Sequence, residues 1–311
     1  MEVLDLKGAY RVMTSADLST QSVFHGDERL YYTEGVLSSI DADTSMFLME
    51  HKVPRPIIVG YHNTVAMLPK NNDKFPVTGI MHYFLAKTLA EQELQLDNNT
   101  IADLDCGSGF LGNYLGLNIS GMDNGLLVFS DSYPESLDAA FLSYLINNNY
   151  ELSELTLDKQ IDRVLVSHDN GKRALFLRGH HMLSLEDIAA DIAVCAPDYI
   201  PYLWDDHPES YYVLGQVSKN MGSELYVAHS SLSNDAVLDA VSRMNSSIST
   251  IGELETPLLL QVSGSRKLPT LNSPEGREIV ESLIDKGMRI ITKNSYKIPY
   301  HTIMVSKITH Q

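Results

Sequence analysis

The chain is poor in cysteine, tryptophan and positive charge. Only Cys106 and Cys195 occur among its 311 residues, each inside or at the end of an apolar segment. That excludes a disulfide framework and leads us to expect reduced thiols in a cytoplasmic protein. No Cys/His spacing matches a structural zinc site, so no metal is expected. Long hydrophobic runs are also missing: a stretch such as Leu258 to Val262 falls far short of the ~20 residues a membrane span needs. The opening Met1-Glu2-Val3-Leu4-Asp5 lacks the basic flank and apolar run of a signal peptide. Lys and Arg total 23 against 40 Asp and Glu, a formal net charge of −17. Such an acidic protein repels phosphate backbones, which disfavours nucleic acid as a partner. Internal repeats and low-complexity tracts are absent as well.

What remains is a chain with 44% hydrophobic residues, enough for a full core. Residues 1–75 read as a small N-terminal cap or recognition region, with short strand-like runs at Arg29 to Thr33, Pro56 to Tyr61 and Thr64 to Leu68, and a polar break at Asn71-Asn72-Asp73. Residues 76–311 read as one α/β domain. Ile80 to Leu94 sets Ile80, Phe84, Leu85, Leu89 and Leu94 close to one side of a helix. Thr100 to Asp105 is a short apolar run ending in a glycine turn, and a helix opens at Gly109. Leu126 to Ser130 is a second buried strand, followed by a helix over Pro134 to Asn147. Further strands are predicted at Arg163 to Val166, Ala174 to Leu177, Ile192 to Cys195 and Glu224 to His229, with helices between most of them.

Strand alternating with helix implies parallel pairing, because only a crossover returns the chain in the same direction. The predicted fold is therefore α/β and doubly wound, with a mostly parallel sheet. A helix at Glu275 to Lys286 and an antiparallel hairpin from Met288 to Thr292 and Thr302 to Ile308 are expected to close its C-terminal edge. Asn234 to Met244 followed by Ser247 to Val262 is the alternative source of those closing elements.

In such sheets ligands bind beyond the carboxyl ends of the strands. The first strand exit reads Asp103-Leu104-Asp105-Cys106-Gly107-Ser108-Gly109-Phe110-Leu111-Gly112. Its glycines permit positive φ and close approach by a ligand, although a plain tight turn needs the same residues. At the second exit, Phe129-Ser130-Asp131-Ser132-Tyr133-Pro134-Glu135, the carboxylate of Asp131 lies about 20 residues past the turn. There it is placed to accept from a ribose diol, or Asp131 or Ser132 caps the next helix.

These two segments resemble motifs I and II of the Rossmann-like S-adenosylmethionine-dependent methyltransferases. A third, Ala174 to His180, sits where that family carries an acidic residue near the adenine. A fourth, Asp191-Ile192-Ala193-Val194-Cys195-Ala196-Pro197-Asp198-Tyr199, resembles the Asn-Pro-Pro-Tyr segment of the release-factor glutamine and N6-adenine branch. The four follow one another in order from about Phe75 to His229. The resemblance implies a seven-stranded methyltransferase-like sheet and S-adenosylmethionine as cofactor, held by Asp103, Asp105, Gly107, Gly109, Asp131 and His180. It further implies a reacting loop of Pro197, Asp198 and Tyr199 facing an acceptor nitrogen on protein, RNA or a base, and the acidic balance favours a protein or small-molecule acceptor over RNA.

Three positions depart from the pattern. Asp105 stands where the family has its first glycine, so its carboxylate either crowds the cofactor or bonds the cofactor's amine and attracts its sulfonium. His180 replaces an acid; it serves either an adenine edge or a polar turn. Ala196 replaces the Asn, leaving Asp198 as a substitute acceptor or general base, and Tyr199 for stacking or packing. Cys195 reads as a buried inert thiol. The alternative function is a catalytically degenerate methyltransferase-fold protein acting as a binding or scaffolding partner. A nicotinamide dehydrogenase is argued against by the antiparallel tail.

Overall fold

The computed structural model describes residues 21–25, 28–34, 57–61, 64–68, 80–92, 94, 96–131, 134–148, 150, 154–160, 163–178, 188–196, 208–257, 289–293 and 296–310. Four strands near the N-terminus, β1 (Gln21–His25), β2 (Glu28–Glu34), β3 (Ile57–Tyr61) and β4 (Thr64–Leu68), form an antiparallel sheet of their own in that order. The expected strand-like runs of this region fall on β2, β3 and β4, and β1 is a strand the sequence reading did not name.

The rest of the described chain is built on one ten-stranded sheet. Its parallel centre comprises β5 (Thr100–Leu104), β6 (Leu126–Asp131), β9 (Arg173–Arg178), β10 (Ile192–Cys195) and β11 (Glu224–Ser230). Spatially they run β9-β6-β5-β10-β11, every neighbouring pair parallel. Beyond β9 an antiparallel hairpin of β7 (Leu155–Lys159) and β8 (Arg163–His168) extends one edge. On the other side β14 (Tyr296–His310) pairs antiparallel with β11, and β12 (Ser246–Pro257) lies outside it. The short β13 (Arg289–Lys293) forms a hairpin with the first part of β14.

The α/β, doubly wound expectation is met. Its seven-stranded core, β9-β6-β5-β10-β11-β14-β12, is extended by β7, β8 and β13. Two details of the sequence reading are corrected. The 163–166 and 174–177 strands are antiparallel to each other, joined by a tight turn with Gly171 at φ 91°. The closing pair combines both alternatives considered: β12 comes from the earlier segment and β14 from the later one. The expected helix at Glu275 to Lys286 lies outside the described residues.

Both faces of the parallel strands are buried, so side chains alternate between two apolar layers. Ile101, Leu127, Phe129, Phe176, Val194 and Tyr226 point to the layer that holds α1 (Ile80–Ala90), α2 (Phe110–Asn118) and α3 (Pro134–Asn148). Ala102, Leu104, Val128, Leu175, Cys195 and Val227 point to the other, beneath α4 (Pro208–Asn220) and α5 (Asn234–Arg243). Strand β4 of the N-terminal sheet lies against α2 and α3. Among the described residues no helix is long and apolar enough to cross a membrane.

Candidate functional site

The winding of the chain determines where a ligand would sit. From β5 it moves outward to β6 and β9, then returns to β10 on the other side of β5. The connections on the two flanks of β5 therefore diverge, and a crevice opens at the carboxyl ends of the strands.

At that edge β5 passes into a five-residue turn in which Asp105, Gly107 and Gly109 take φ values of 57°, 51° and 72°. Left-handed backbone costs a residue with a Cβ about 1 kcal/mol or more, with Asp and Asn among those that tolerate it best. Asp105 thus occupies a backbone conformation that favours glycine. Gly109 answers a second demand: a Cβ there would lie 2.8 Å from Ala140 Cβ on α3. The turn is closed by the Gly109 amide donating to the Cys106 carbonyl at 2.7 Å. It is joined to the second strand exit by two further bonds. The Cys106 amide donates to the Ser130 carbonyl at 2.9 Å, and the Gly107 amide donates to Oδ2 of Asp131, also at 2.9 Å.

The glycine turn and the acid of the second exit, 24 residues apart in sequence, are therefore in direct contact. Asp131 is 1% exposed. Asp103 is equally buried but faces inward. Its Oδ2 accepts from the Gly112 amide at 2.8 Å, so a residue of the strand caps the first turn of the helix that follows. Gly112, which the sequence reading quoted without a role, allows this approach. A Cβ there would meet the Phe129 ring at 2.6 Å and Asp103 Cβ at 3.2 Å. Its signal was the spacing Gly107, Gly109, Gly112, whose last glycine admits close helix–strand packing.

Burial gathers three carboxyls here. It holds the Asp103 carboxyl well above the ordinary carboxylate range against the opposing Gly112 bond, with Asp105 and Asp131 adding repulsion. It raises Asp105 as well. The Cys106 thiol beside them is pushed up by burial and by the same three acids, so it is no activated nucleophile.

Of the sequence-predicted site residues, the structure brings together Asp103, Asp105, Gly107, Gly109 and Asp131. His180, Pro197, Asp198 and Tyr199 lie outside the described residues. They follow β9, which ends in buried Leu177 and exposed Arg178, and β10, whose last residue Cys195 and the adjoining Ala196 are buried. Cys195 is buried in the core and forms no disulfide among the described residues, in keeping with the buried thiol expected. Tyr211 and Tyr212, near the start of α4, are engaged within the fold. Tyr211 is buried with its ring edge toward His229, and the Tyr212 ring lies 4.5 Å beneath the Arg243 guanidinium.

No family model and no curated protein matches the chain. Solved structures of similar shape include the YcgJ protein of Bacillus subtilis, with 10% identity, 74% of this chain and 100% of that one covered, and a TM-score of 0.47. A putative methyltransferase from Bacillus halodurans is 11% identical over 73% of this chain and 99% of its own, with a TM-score of 0.45. Trm1 from Pyrococcus horikoshii, in complex with S-adenosyl-L-methionine, is 12% identical over 80% of this chain and 61% of its own, with a TM-score of 0.42. At these values the likeness assigns no activity to this chain.

A separate cavity of about 480 Å³ lies at the opposite, amino-terminal edge of the strands, lined in part by Asp191, Glu224, Tyr226 and Lys307. Its chief polar groups hold one another and the backbone. Asp191 accepts from the amides of Asp97, Asn98 and Thr100. Glu224 pairs with Lys307 at 2.6 Å and accepts from the Tyr226 hydroxyl at 2.9 Å. That end is held together as structure, and the chemistry of the fold is to be sought at the glycine turn.

Proposed function

We propose that this chain is an S-adenosylmethionine-dependent methyltransferase acting on a protein or small-molecule acceptor. One observation carries the reading: the carboxylate of Asp131 meets the amide of Gly107 at the point where strand order reverses. An acid beside a left-handed glycine turn at a parallel-strand exit fits a nucleoside, whose ribose diol donates to a carboxylate. The antiparallel β14 between β11 and β12 favours this reading over a nicotinamide dehydrogenase, whose sheet continues parallel.

Gly107 and Gly109 would let the ligand approach the backbone, Asp131 would hold its ribose, and His180, which follows β9 in sequence, would serve the adenine. The cofactor, when bound, supplies an electrophilic methyl group on a sulfonium. The chain's part is to hold the acceptor in line with that methyl, an effect of positioning. Pro197 and Tyr199 shape the acceptor loop after β10, and Asp198 accepts a proton or hydrogen bond from the acceptor.

The test is calorimetric titration of the purified protein with S-adenosylmethionine. Heat of binding with a micromolar constant is expected, and Asp131→Ala should weaken it at least about tenfold. Silence at millimolar cofactor would refute the assignment.

A further inference from the structure

We propose that Asp105 makes the strand exit at the glycine turn select a cationic nucleoside over its neutral counterpart, so that the cofactor is held by its charge and the demethylated product is not. The inference rests on the cofactor reading above and concerns which ligand charge the site prefers.

Asp103 and Asp131 each have a backbone amide to accept from, those of Gly112 and Gly107. Asp105 receives no hydrogen bond and forms no ion pair among the described residues. It is partly exposed, yet protein surrounds its carboxyl closely enough to disfavour the charge. Nor does a cation of the described chain act on Asp103, whose charged neighbours are Asp105 and Asp131. A carboxyl that the protein surrounds, with no described group pairing it, is stabilised by a cation that reaches it more than it would be in water.

A glycine at position 105 would suit the φ of 57° without strain. The chain instead carries a side chain there whose distinguishing property is charge. S-adenosylmethionine carries a positive sulfonium. S-adenosylhomocysteine has a neutral thioether at the same atom and is otherwise the same molecule. When a methyl leaves the sulfonium for an acceptor, both electrons of the broken S–C bond stay on sulfur, and the attraction to Asp105 ends with the charge.

The pair of ligands therefore isolates the effect. Calorimetric titrations of the wild-type chain, Asp105→Asn and Asp105→Gly with each nucleoside give a preference ratio for every protein. The wild type is expected to favour S-adenosylmethionine by about tenfold or more. In Asp105→Asn, which keeps the size and the tolerance for left-handed backbone, that preference should fall about tenfold through loss of S-adenosylmethionine affinity, with S-adenosylhomocysteine little changed. Sinefungin, with an ammonium near the sulfonium position, should follow S-adenosylmethionine. An unaltered ratio in both variants would overturn the inference while leaving the cofactor reading intact. So would an equal tightening of both ligands in Asp105→Gly, which would make the side chain a mere obstruction. Failure of the wild type to bind any of the three would overturn the cofactor reading, and this inference with it.

Discussion

His229 Nε2 lies 2.9 Å from Ser306 Oγ in the interior of the sheet, joining β11 to the antiparallel β14. The other ring nitrogen, Nδ1, lies 3.2 Å from the Ser230 carbonyl. A carbonyl only accepts, so Nδ1 carries the hydrogen and Nε2 accepts from the serine hydroxyl. Burial lowers this histidine from 6.5 to about 4, against the Ser230 bond. A base whose folded value is depressed contributes stability that is complete above 6.5 and is lost as pH falls through 4. Across that window His229 should remove roughly 3 kcal/mol. Urea midpoints measured through the window are expected to fall more steeply for the wild type than for His229→Gln. His82, buried and also lowered to about 4, keeps a residual slope in the variant. Parallel profiles would remove His229 as a source of acid sensitivity.

Asp103 behaves oppositely. Its folded carboxyl is held well above the ordinary 3.8 by burial. Its contribution is therefore present below that value and lost as pH rises and the unfolded chain alone ionises freely. Asp103→Asn keeps an oxygen for the Gly112 amide and removes the charge. Relative to wild type, the variant should gain stability with rising pH, by up to about 1.4 kcal/mol per unit over the range between the two values. Denaturant titrations from about pH 5 to about pH 8 would show it. A gap between the two proteins that stays constant with pH would contradict the account of Asp103.

Much of the architecture is legible in sequence because the parallel strands are buried on both faces. Leu126 to Ser130 and Ile192 to Cys195 are continuous apolar runs, and each meets the structure within a residue. The misses have local causes. Leu155–Lys159 alternates apolar and polar residues over too short a span to signal itself. β12, weighed in sequence only as the alternative closing element, opens with the mostly polar Ser246-Ser247-Ile248-Ser249-Thr250 and carries a register shift between Thr250 and Gly252. Both hide the period on which strand recognition depends. At the site, the glycine spacing and the position of Asp131 were readable. The Asp103 bond to Gly112 was not, since a strand residue that caps a helix nine positions on is fixed by tertiary packing.

Asp105→Gly should stabilise the protein, opposite to the usual effect of introducing glycine. The replacement relieves left-handed backbone at φ 57° and removes one of three mutually repelling acids. Against this stands the greater freedom of glycine in the unfolded chain. The net gain expected at neutral pH is about 1 kcal/mol. Thermal unfolding without ligand gives the value. A loss of stability would show that Asp105 makes a stabilising contact in the free protein.

Gly109 and Gly112 offer a comparison between two kinds of steric demand. In Gly112→Ala the new methyl would lie 2.6 Å from the Phe129 ring, which is fully buried and stacked on Phe176 at 5.0 Å. The ring has nowhere to retreat, and overpacking of this kind costs about 1–3 kcal/mol. Gly109→Ala meets Ala140 Cβ at 2.8 Å and in addition forces a Cβ onto backbone at φ 72°, so it should cost about 1 kcal/mol more. Phe129→Leu separates the two. Added to Gly112→Ala it removes the clashing ring, and the double variant should be more stable than the sum of the single losses implies. Added to Gly109→Ala it relieves only the looser contact with Phe129 Cε1 at 3.1 Å and leaves both the Ala140 contact and the backbone strain, so the coupling should be clearly smaller than in the Gly112 cycle. Equal coupling in the two cycles would show that Phe129 packing, and not the left-handed turn, makes position 109 glycine.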